Sequence, residues 1–388
     1  MLTQITNGNI LTPKGWVKGG SVIINDSKIQ AVTDNELAII GANVVDAKGM
    51  NIVPGFVAMQ VYGGGGHDFR ECTEEAFRTV ISTHLKYGAT SIFPTLTTSP
   101  TESIYKAISI CEKIMAEKNT QVMGLHLAGP YLNPKMTNPI HKIRGINKEE
   151  YTSILNSTEC IKRWDISPEL PGAHELAKTL VSKGILATIT HTNAEFEDIK
   201  AAHEAGFTHT ANFYNSMPGF HKRQEYKYEG TVESVYLIDD ITVEIIADGR
   251  HLPHTILRMV YKLKGVERTC LVTDALMYAG STIKPAEDSP IVIDDGVCKL
   301  KDLSSLAGSI ATMDTLIRTM VQKAKIPLAD AVRMASETPA KIMGIAHRKG
   351  TLEKGKDADI VILDNKLDVR AVWSMGELVP DTNTLQHS

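Results

Sequence analysis

The feature that most constrains this chain is an alternation. Between about Pro54 and Lys349, short apolar β-rich runs follow one another with helix-patterned text between them. Such text builds βα units on a parallel sheet, because each parallel crossover needs a helix-length connection. Eight strand candidates can be named by their C-terminal ends: GFVAMQVYG, TSIFPTL, VMGLHLAGP, IKRWDISPE, ILATITHTNA, HTANFYN, VEIIADGRH and CLVTDAL. Eight units close a (β/α)8 TIM-type barrel, and 388 residues leave room for one barrel and a small appendage. One intervening helix is legible in detail. Ser99-Pro100 supplies its N-cap and first helical position, and Ile104, Ile108, Cys111 and Met115 share a face.

The flanks read differently. TQITNGNIL, SVIINDSKIQAV with a turn at Asn25-Asp26, and ANVVDAKGMNIV are strand text, and similar text returns only in GTLEKGKDADIVILD and VRAVWSMGELV. Both ends are therefore expected to build one discontinuous β-sandwich domain, residues 1–53 and 350–388, around a barrel spanning 54–349.

Charge excludes some partners. With a formal net charge of −4 and scattered Lys and Arg, no basic face is implied and nucleic acid is not an expected partner. The amino terminus lacks a basic segment followed by an apolar one, and no 18-residue apolar run occurs, so a cytoplasmic protein without membrane association is expected. Cys72, Cys111, Cys160, Cys270 and Cys298 form no C-x-x-C and suit reduced thiols used in packing.

Barrels of this kind carry their chemistry at the C-terminal ends of the strands. Those ends offer Gln60 and Tyr62, which share a face, then Ala128, His191, Asn212, Asp248 to His251, and Asp274. One end is odd. GLHLAGPYLNP, residues 124–134, runs into a Gly-Pro turn and presents at the strand tip only the methyl group of Ala128.

The strings VPGF, GGGGHDF, FPTL, GLHLxGPYLNP, SPELPGA, HTNA, FYNSMP, IADGRH, LVTDA and LAGS occur in this order, together with the split β domain. In these the chain resembles the N-acetylglucosamine-6-phosphate deacetylase family of the amidohydrolase superfamily, over nearly its whole length. The resemblance implies a hydrolase of amino-sugar metabolism with one divalent, zinc-like metal, acting on a small amino-sugar phosphate. A metal lowers the pKa of bound water to about 7 and stabilises the oxyanion. Asp274 in LVTDA matches the residue that takes the water's proton, and His191 in ITHTNA matches a metal ligand. His251 in ADGRH and Arg223 in HKRQEYKYEG resemble phosphate contacts, at least one across a subunit interface, which implies a homodimer or larger homo-oligomer. Asn215 and Ser216, with Leu306 and Ala307, match segments lining the sugar.

The departures explain the odd loop. The family loop reads LHLEGP and its Glu binds metal; here that position is Ala128, and the ligand His of the sixth strand is Asn212. Gln60-Val-Tyr62 stands where many superfamily members have His-x-His, and Ala58 where an Asp is common. His126 shares the face of Ala128 but lies about 6.5 Å lower at ~3.3 Å per residue, so it is expected to pack inside. His209 is an odd number of residues from Asn212 and is expected to face away from the mouth; His67 belongs to a close-packed glycine loop that is no dinucleotide motif. A catalytic zinc takes three protein ligands plus water, and only His191 and Asp274 are strong donors here. Two readings follow: a deacetylase with impaired turnover, and a non-catalytic relative that keeps the sugar-phosphate pocket. The acidic pairs Glu74-Glu75 and Glu149-Glu150 are read as solvated.

Overall fold

Strands buried on both faces need continuous apolar text rather than alternation. In the computed structural model, which describes residues 2–35, 39–138, 141–382 and 384–385, the eight apolar runs become eight parallel strands. They are β1 (Phe56–Val61), β2 (Ala89–Thr97), β3 (Leu125–Ala128), β4 (Ile161–Ile166), β5 (Leu186–Ile189), β6 (His209–Thr210), β7 (Thr242–Ile246) and β8 (Thr269–Val272). Neighbours in sequence are neighbours in the sheet. A parallel bridge between Val61 and Ala275 joins the first strand to the end of the last and closes the barrel.

Amphipathic helices cover the strands. The helix anticipated after Ser99 runs Thr101–Met115 and buries Ile104, Ile108 and Cys111, while Met115 is partly buried. It begins one residue late: Pro100 is the N-cap, and Ser99 Oγ instead donates to the carbonyl of Thr97. Glu75 and Glu149 are exposed as expected, and Glu74 makes surface ion pairs with Arg78 and Lys113. Glu150 departs from the solvated reading. It accepts from Arg144, Tyr131 and Thr101; burial opposes its charge, but these donors outweigh burial and bring its pKa down to about 2.

A second eight-stranded sheet takes strands from both ends of the chain. Ile360–Leu363 pairs antiparallel with Asn51–Pro54, which pairs in turn with Leu2–Thr12. The junction with the barrel is ionic as well as apolar: buried Lys349 reaches Asp359 at 2.6 Å and Asp357 at 3.0 Å, and Lys28 and Arg348 also bond Asp357. Between β8 and its helix lies an addition not anticipated from the text, a three-stranded sheet of Ile291–Asp294, Val297–Leu300 and Leu306–Ser309. Its last strand bridges to Ala275 and so brings Leu306, Ala307 and Gly308 to the barrel mouth.

Candidate active site

A cavity of about 800 Å³ opens at the C-terminal ends of the barrel strands. Its walls include Tyr62, Ala128, His191, Asn212, Asn215, Ser216, His251, Asp274, Leu306 and Ala307. The strand ends are not regular there. His191, Asn212 and Asp274 have φ of 42°, 48° and 51°, in the left-handed region that non-glycine residues rarely adopt. Such backbone is tolerated where the surroundings hold it, and it turns these side chains across the mouth.

Gln60 lies fully buried beneath this wall. Its Nε2 donates to Asp274 Oδ1 at 2.8 Å, to Asn212 Oδ1 at 3.1 Å and to the Tyr62 hydroxyl at 2.9 Å. One amide nitrogen thus sits among three oxygens, while Gln60 Oε1 is buried with no partner among the described residues. Burial raises the Asp274 pKa to about 7, against the pull of nearby His251, whose Nε2 is 4.0 Å away. A carboxyl balanced near neutral pH is suited to moving protons.

The histidines divide into two sets. His191 Nδ1 lies 2.9 Å from the carbonyl of Met136, which can only accept, so Nδ1 carries the hydrogen and Nε2 keeps a lone pair. Burial lowers its pKa and keeps the ring neutral. His251 Nδ1 meets Asp248 Oδ2 at 2.7 Å. Burial works against its charge, yet Asp248 outweighs burial and holds its pKa above the usual value.

Below the mouth is a buried ionic layer. Arg163 on β4 bonds Asp165 at 2.7 Å and, with both Nη atoms, Glu244 of β7 at 2.6 and 2.9 Å. His126 Nε2 lies 2.9 Å from Asp165, and His209 Nε2 3.3 Å from Glu244. Burial opposes ionisation of both carboxylates, but Arg163 outweighs it and keeps their pKa values low. Both imidazoles are pushed down by burial. His126 is an interior histidine as expected. His209 corrects the parity argument: it points into the barrel interior toward Glu244, because pairing in β6 ends at Thr210 and the αL backbone at Asn212 breaks strand alternation.

Two expected site residues stand apart from the cavity walls. Gln60 is under the wall rather than in it. Arg223 is on an exposed hairpin, His221–Arg223 with Tyr226–Tyr228, where it bonds Glu195 at 2.6 Å and stacks on Tyr228. Several lining residues were not anticipated, His141, Arg70 and Asp165 among them. His141 sits with its ring 6.4 Å from that of His191, and burial lowers its pKa to about 4. Arg70 is held against Asp68 by two hydrogen bonds of 2.9 Å. Asp165 is the register partner of Ala128, so a carboxylate stands one strand away from the position that has only a methyl group. The pair Arg163 and Asp165, two apart and so on one face of a buried strand, was the available signal for it.

These side chains do not make a good metal centre. His191 is a single imidazole, Asn212 is a neutral amide already paired with Gln60, and Ala128 offers nothing. Among the described residues no group of three or more His, Cys, Asp or Glu side chains is arranged to hold an ion. A catalytic zinc site needs three protein donors.

The amidohydrolase family model matches residues 51–379. The N-acetylglucosamine-6-phosphate deacetylase of Haemophilus influenzae is 32% identical, the alignment covering 93% of this chain and 95% of that protein. Among solved structures, the N-acetylglucosamine-6-phosphate deacetylase of Pasteurella multocida superposes with a TM-score of 0.91 at 29% identity, over 97% of this chain and 99% of that one. A point variant of the Mycobacterium smegmatis enzyme, in complex with N-acetyl-D-glucosamine-6-phosphate, gives 0.88 at 28% identity over 97% and 99%.

Proposed function

The chain belongs to the amidohydrolase family, and from that premise we propose that its mouth binds an acetamido hexose 6-phosphate of the kind its relatives deacetylate, with hydrolysis impaired. The observation that carries this reading is one cavity holding Asp274, His191, Asn215, Ser216, His251 and the Leu306-Ala307 backbone together. Asn215 Nδ2 is buried without a partner among the described residues, which suits a donor to a sugar oxygen. His251, whose pKa Asp248 holds above the usual value, suits an anionic group. Arg223 has no place in this cavity within one chain, so its proposed phosphate role requires a second subunit in a homo-oligomer. Asp274 has the pKa of a proton carrier. Divalent-metal dependence is general among deacetylases of this family, and the weak donor set here is the reason to expect little turnover. The same observation favours a second reading, a non-catalytic sugar-phosphate-binding or regulatory relative.

The test is release of glucosamine 6-phosphate from N-acetylglucosamine 6-phosphate, at high protein concentration with added metal and with chelator. The expected result is slow or absent release. Replacing Ala128→Glu and Asn212→His together should bring bound metal to about one equivalent and raise the rate roughly a hundredfold or more. Either change alone should do far less. A double variant that stays metal-free after zinc loading would show that the ligand positions are misassigned.

A further inference from the structure

The mouth is poor in metal-binding imidazole but its floor is rich in oxygen acceptors. Asp274 Oδ1, Asn212 Oδ1 and the Tyr62 hydroxyl converge on one nitrogen, that of the Gln60 amide, which has two hydrogens for three oxygens. Gln60 Oε1, wholly buried, is left without a partner among the described residues. Asp165 lines the same cavity beside Ala128, whose missing side chain leaves room next to it. The buried layer beneath adds carboxylate oxygen, since Asp165 and Glu244 both face Arg163.

We propose that this floor is an ammonium site, which takes the primary ammonium of a hexosamine 6-phosphate in place of a divalent metal. An ammonium brings three N–H donors and one positive charge, which match clustered carboxylate and amide oxygens. A zinc ion would ask for a convergent set of three protein donors, and to the single imidazole of His191 the cluster adds only carboxylates and neutral amide or hydroxyl oxygens. The ligand class is then the deacetylated amino sugar phosphate rather than its N-acetyl form, whose amide nitrogen is neutral and carries one hydrogen. The inference rests on the sugar-phosphate reading of the cavity.

Calorimetric titration of the chelator-treated protein with glucosamine 6-phosphate, glucose 6-phosphate, N-acetylglucosamine 6-phosphate and inorganic phosphate tests it. Glucosamine 6-phosphate should bind at least tenfold more tightly than either of the other sugars, with no change on adding chelator. Asp165→Asn should abolish that preference while glucose 6-phosphate still binds. Because Asp165 also braces Arg163, Ala128→Leu, which fills the space beside it, is the second variant and should give the same loss. Equal affinity for the three sugars, or tightest binding of the acetylated one, overturns the ammonium site and leaves the sugar-phosphate reading standing. A preference that appears only with added zinc or magnesium overturns it in favour of a metal. If no sugar binds better than inorganic phosphate, both readings fall.

Discussion

The ionic layer of Arg163, Asp165 and Glu244 and the mouth above it are parts of one barrel, yet they handle charge in opposite ways. In the layer, a guanidinium meets two carboxylates at 2.6 to 2.9 Å, and burial is overcome by pairing. At the mouth, the Asp274 carboxyl has among the described residues only the neutral Gln60 amide at hydrogen-bonding distance, with His251 4.0 Å away, and burial prevails. The same penalty for burying charge thus gives carboxylates that stay ionised in one place and a carboxyl poised near neutrality in the other. Fixed charge braces a structure, whereas a group near its titration point can take part in chemistry or accept a ligand.

The largest effect should come from breaking the braced layer. Arg163→Met leaves two buried carboxylates without their cation and should cost about 3–5 kcal/mol, read from the denaturant midpoint. A loss under about 1 kcal/mol would mean that the layer is not what braces strands β4 and β7. Next is a difference of sign with pH. Asp274 has a folded pKa raised to about 7 from 3.8, so the folded state holds a proton that the unfolded state has lost, and stability falls as pH rises through that window. Asp274→Asn should therefore stabilise the protein at pH 7 by on the order of 2–4 kcal/mol, with the gain vanishing below about pH 4. Asp165 and Glu244 have lowered values, so their contribution is complete above the unfolded pKa and is lost as pH falls. Thermal unfolding from about pH 2 to 8 would reveal the contrast, and a flat difference between wild type and Asp274→Asn would remove it. The smallest effect is Tyr62→Phe, which takes one oxygen from the Gln60 cluster and should cost about 0.5–1.5 kcal/mol. If its cost approached that of Arg163→Met, the two regions would not differ in kind.

Much of the fold was legible in residues. The eight apolar runs could be read because a strand buried on both faces carries its signature within five or six positions, and all eight runs are barrel strands. The mouth was partly legible: His191, Asp274 and His251 follow the ends of their strands and line the cavity. Parity failed at His209, since it presumes extended backbone as far as Asn212, and the chain turns left-handed there. His141 escaped because its position depends on how a loop folds back over β5. Glu150 looked like part of a solvated acidic pair until Arg144 and Tyr131 were seen to close on it.

The sequence by itself determined the succession of strands and helices, the absence of a carboxylate at residue 128 and of an imidazole at residue 212, and which side chains stand at strand ends. These follow from covalent order and from the periodicities of local backbone geometry. Only the tertiary structure decided that Arg163 would join Asp165 to Glu244, 81 residues further along, that Asp165 would stand beside Ala128, and that Gln60 would collect three oxygens. Electrostatics and hydrogen bonding depend on distance through space and on burial. Both are set when the barrel closes and brings its first strand against its last.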